Sequence, residues 1–80
     1  MKTTPEEVTQ RFVEAYYQLY ALRKVKNKKE FCEKVDIFPS NFVLVEKGKR
    51  SVAVQQICNL ISSFNINPNW IMLGIGEFRF

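Results

Sequence analysis

The chain has 80 residues, 46% of them hydrophobic and 14% aromatic, with 12 Lys and Arg against 8 Asp and Glu. That length suits one small domain over 1–80, with its core over about 5–77, and that apolar content excludes a disordered chain. No apolar run reaches about eighteen residues and no secretory leader is evident, so a soluble intracellular protein without a membrane partner is expected.

Met1–Thr4 reads as a short polar lead, with Thr4 as cap and Pro5 as the first helical residue. Glu6 and Glu7 suit the positive end of a helix dipole. Val8, Phe12, Ala15, Tyr16, Leu19 and Leu22 recur at helical spacing, which predicts one helix as far as Leu22 or Arg23. A second helix is predicted over Lys28–Val35. Asn27 caps it, and with Glu30 three residues on the pattern resembles a capping box. Phe31 and Val35 share its inner face, Asp36 breaks the period and Ile37 plugs the corner. A third helix starts near Pro39, buries Phe42 and Val45, and stops at Gly48.

A fourth helix is expected over about Val52–Phe64, with Val54, Ile57, Cys58, Ile61 and Phe64 inward and Leu60 nearby. Ser51 is the nearest good cap. Asn65 ends this helix in a left-handed turn, and Asn67 caps a short fifth helix from Pro68 to about Leu73. The expected fold is therefore all-α, a compact five-helix bundle.

Enzyme chemistry lacks its parts. There is no histidine, no inward carboxylate pair, and Gly74-Ile75-Gly76 lacks the strand and third glycine of a phosphate loop. Cys32 and Cys58 form no CxxC pair; both are expected to be buried free thiols, with no metal site and no cofactor. Charge is the more telling feature. Residues 23–50 hold nine Lys and Arg against four acids, a net of +5, while the rest of the chain sums to −1. Such concentration suits a surface that meets a polyanion.

The stretch KEFCEKVDI, a turn, and a helix ending EKGKR resembles the helix-turn-helix domains of phage-repressor (Cro-like) regulators. Cys32 stands where such domains usually have Ala, and Asp36 where they have Gly; Asp tolerates a left-handed backbone better than most residues. NPNWIMLGIGE resembles the close of many such domains, and the likeness covers about residues 6–77. It implies a lambda-repressor-like fold, a start of the fourth helix at Ala53, and closure of the core by Trp70.

The resemblance further implies a sequence-specific double-stranded DNA-binding transcriptional regulator of prokaryotic or phage type, a repressor, in the cytoplasm at the nucleoid. The third helix would enter the major groove, with Pro39, Ser40, Asn41, Val43 and Leu44 facing base edges. Asn41 suits adenine, and Leu44 can pack on a thymine methyl. Asn27, Lys28, Lys47, Lys49 and Arg50 are the expected phosphate contacts. Binding as a homodimer to a two-fold operator is implied, with Ile71, Met72, Phe78 and Phe80 as the dimer surface. The alternatives are a protein-interaction module or an antitoxin on the same fold, which the apolar Val43 and Leu44 would suit.

Overall fold

Helices begin where the chain supplies a cap. In this computed structural model, which describes residues 3–80, α1 (Pro5–Ala21) opens with Thr4 Oγ1 accepting from Glu7 N at 3.2 Å. The lead expected at Met1 and Lys2 lies outside the described residues. α2 (Lys28–Val35) opens on Asn27, whose Oδ1 accepts from Glu30 N at 2.9 Å. α3 (Pro39–Glu46) has proline in its first turn and no side-chain cap at Phe38. α4 (Val54–Phe64) opens at Ala53, which has no side-chain acceptor; Gln56 Oε1 instead accepts the Ala53 N–H at 3.1 Å. α5 (Pro68–Leu73) opens on Asn67, whose Oδ1 accepts from Asn69 N at 3.0 Å.

Left-handed residues end the elements. Asp36 has φ 59° and Asn65 φ 57°, as their side chains tolerate. α1 stops at Ala21, short of the expected end, because Arg23 turns left-handed and Lys24 N reaches back to Leu19 O at 2.8 Å. Gly48 follows α3 with φ 74°. Gly48 N bonds Val45 O at 3.1 Å and Lys49 N bonds Leu44 O at 2.9 Å, a paired closure that only a left-handed residue permits.

The bundle is all-α: among the described residues there are five helices and no strand, only an isolated bridge between Ile66 and Arg79. Aromatic rings fill its centre. Phe31 lies 5.6 Å from Phe12, 5.2 Å from Tyr16, 5.4 Å from Phe42 and 6.0 Å from Phe64, centroid to centroid. Those rings come from all four longer helices, so one side chain of α2 fixes the relative placement of α1, α3 and α4. Cys32 is buried beside Phe31, and burial pushes its thiol pKa up.

Several expectations need correction. Cys58 and Val54 are exposed, and Leu60 is fully buried. The inward face of α4 is Ile57, Leu60 and Phe64, with Ile61 partly covered. Asn59 sets that rotation, because its Nδ2 donates to Val35 O at the end of α2 (3.0 Å). Ile71, expected on a dimer surface, is fully buried in the core. Trp70 covers the core from its edge, as expected. It is half-buried against it, with Phe78 edge-on at 4.7 Å.

The core also extends past residue 77. Asn67 N bonds Phe78 O at 2.9 Å, and Arg79 Nε donates to Phe64 O at 2.9 Å, covering the carbonyl end of α4. Phe78 thus belongs to the fold of a single protomer. Met72 and Phe80 remain exposed.

Candidate nucleic-acid interface

α3 is held from below and behind. Phe42 and Val45 are buried, and Phe42 meets Phe12 and Tyr16 as well as Phe31. Burial of that stripe turns Ser40, Val43, Leu44 and Lys47 outward, with Asn41 on the flank. Pro39, Ser40, Val43 and Leu44 are exposed as expected, and Asn41 is half-buried. Apolar residues therefore occupy both sides of this helix.

Asn41 is already engaged. Arg50 Nη1 donates to its Oδ1 at 3.0 Å, across the turn after α3. Arginine can only donate, so the oxygen must face it and the amide NH2 is left free. The bidentate pairing with adenine expected for Asn41 needs that same oxygen as acceptor, and it is shared.

The basic loop that follows is anchored to α1. Thr9, itself buried, accepts from Val52 N at 3.2 Å. Lys47, Lys49 and Arg50 rim a groove of about 500 Å³ whose far wall is Glu6, Thr9, Gln10 and Val13 of α1. These three cations are exposed and, among the described residues, form no ion pair. Three of the five expected phosphate contacts thus lie together beside α3.

The other two are differently placed. Asn27 spends its side chain on its own helix, and Lys28 is not a free cation. Its Nζ lies 2.9 Å from Glu46 Oε1 and 3.1 Å from Oε2, while Tyr17 Oη donates to Oε2 at 2.7 Å. The bond to Glu46 raises the pKa of both Lys28 and Tyr17 above their ordinary values. Glu46 is the only acid of α3 and is turned toward α1 and α2, so the exposed face of α3 carries no carboxylate.

Phe38 was not among the expected surface residues, yet it is 75% exposed at the head of α3. The signal was present. Ile37 fills the corner and Pro39 begins the helix, so a ring between them has nowhere inward to go.

Compared with models of protein families, with curated proteins and with solved structures, the chain matches none. Among the described residues no helix is long and apolar enough to cross a membrane.

Proposed function

We propose that this chain binds double-stranded DNA sequence-specifically, as a helix-turn-helix transcriptional regulator of prokaryotic or phage type, acting as a repressor. The observation that carries this reading is the face of α3. Ser40, Val43 and Leu44 stand outward with Asn41 on their flank and no acid among them, and Lys47, Lys49 and Arg50 follow at once. A short helix presented on a rigid base suits the major groove, and flanking cations suit the phosphates on either side. The residue pattern of the two stretches noted above supports the same reading.

A two-fold operator calls for a dimer. The exposed apolar side chains Val54, Met72 and Leu73 line one groove where α4 begins and α5 ends, a better candidate surface than Ile71 or Phe78. Sedimentation of Leu73→Ser tests this: a shift toward monomer supports the surface, and an unchanged equilibrium removes it.

DNA binding is tested by fluorescence anisotropy with random duplex over a range of salt. Binding should weaken steeply with salt, and Lys49→Ala should lower the slope of log K against log salt by about one. Absence of binding at low salt would favour the second reading, a protein-interaction module or antitoxin, which the exposed Phe38, Val43 and Leu44 also suit.

A further inference from the structure

The outward face of α3 is unusual for a surface that must recognise base edges. Val43 is 42% exposed and Leu44 37%, and within α3 only Ser40 and Asn41 beside them can hydrogen-bond. An apolar side chain in the major groove has one group to meet there, the C5-methyl of a pyrimidine. We infer that, if the chain binds duplex DNA as proposed above, Val43 and Leu44 read thymine methyl groups, and Asn41 reads the thymine O4 beside one of them.

The Asn41 amide decides between the two methyl-bearing pyrimidines. Arg50 holds its Oδ1 at 3.0 Å, which leaves the NH2 as the group free to meet a base. Thymine presents O4, an acceptor, next to its methyl. 5-Methylcytosine presents an amino group at the corresponding place, a donor facing a donor. Arg50 is thus a positioning residue for Asn41.

The occupant of this apolar face is a duplex on grounds of charge. The face is bordered by Lys47, Lys49 and Arg50 after the helix, whereas the acids Glu33 and Asp36 stand with Lys29 around Phe38, away from it. The one acid of α3 is drawn away to Lys28 and Tyr17. A polyanion with methyl groups in its groove complements both features at once.

Alternating copolymers test the idea, because replacing thymine by uracil removes methyls and leaves phosphates and pairing edges alone. The full chain is titrated at matched salt with poly(dA-dT), poly(dA-dU), poly(dG-dC) and poly(dG-5-methyl-dC) duplexes. One buried methyl corresponds to about fourfold in Kd, so two contacts give poly(dA-dT) an advantage of about 15-fold over poly(dA-dU). The advantage should shrink toward unity in Val43→Ala/Leu44→Ala, with the salt slope kept. Both side chains are exposed, so the double variant should fold; helical circular dichroism checks this. In Arg50→Lys the T-over-U advantage should persist, while rejection of the methylated G·C polymer weakens.

Salt-dependent binding with equal affinity for the thymine and uracil polymers overturns this inference and leaves the DNA-binding reading intact. A gain from cytosine methylation larger than the T-over-U advantage overturns thymine as the base read. Absence of binding to all four polymers at low salt overturns both readings.

Discussion

Replacing Glu46 by Gln separates the two roles of its neighbour Lys28. Glutamine keeps the length and one carbonyl acceptor, so Tyr17 Oη retains a partner, while the ammonium now 2.9 Å from the carboxylate loses its counter-charge. The Lys28 side chain is 49% exposed, so solvent already screens the pair. The stability lost is on the order of 0.5 kcal/mol, a fall in Tm of about 2–4 °C for a domain of this size. The effect on DNA runs the other way. Lys28 opens α2, and a released cation there adds about 0.9 to the steepness of log K against log salt. Between roughly 50 and 200 mM salt the variant should then lose about 3.5-fold more affinity than the parent, starting from tighter binding. Anisotropy titrations with random duplex, run beside a thermal melt by circular dichroism, read both quantities. An unchanged slope with the expected small shift in Tm would show that Lys28 faces away from the duplex. A Tm fall several times larger would show that the triad holds α3 in place and that the solvent discount was wrong.

Phe31→Ala removes the ring that touches four others and should cost about 3–5 kcal/mol by urea denaturation, against roughly 4–12 kcal/mol in total for a chain of this length. Tyr20→Ala, at an exposed position, should cost within about 0.5 kcal/mol, and similar losses for the two would contradict the packing described. Alkaline pH gives a third expectation. Tyr17 and Lys28 both hold their protons more tightly folded than unfolded, so their contribution is complete below about pH 10 and is lost as pH rises through their raised pKa values. Thermal melts of the parent should show that loss, and Glu46→Gln should show less of it; identical profiles would refute the assignment. Finally, Asn41→Ala and Arg50→Ala should not be additive in duplex affinity, with a coupling of about 0.5–1 kcal/mol, because each presents the other. Strict additivity in a double-mutant cycle would mean that the bond is not kept on DNA.

Features encoded within a turn or two of chain were legible from residue types. Asn27, Pro39 and Asn67 marked helix starts, and Asp36 and Asn65 the left-handed stops, because a cap is a bond between near neighbours. The rotation of α4 was not legible. Its apolar residues form an arc wider than the buried stripe, and the choice among them falls to Asn59 reaching Val35, 24 positions away. The tail was read as surface for the same reason: Phe78 is fastened to Asn67 by a backbone bond and Arg79 to Phe64 O by its guanidinium, and neither leaves a periodic trace. At the candidate interface, the outward residues of α3 followed from its buried stripe. The engagement of Lys28 by Glu46 and of Asn41 by Arg50 depends on tertiary approach and could not be read in advance.

Arg11 carries a consequence for how the molecule is made. Its guanidinium donates to Ile71 O at 2.8 Å and to Met72 O at 3.1 Å, partners 60 and 61 positions further along. A helix as brief as α5 has little intrinsic propensity to persist, so it matures only on meeting this arginine. On the ribosome the earlier helices must idle, half-clad, until residues 68–73 have emerged. The slowest step of assembly should therefore be the docking of α5 on α1, a joining of distant stretches that no local signal can hasten.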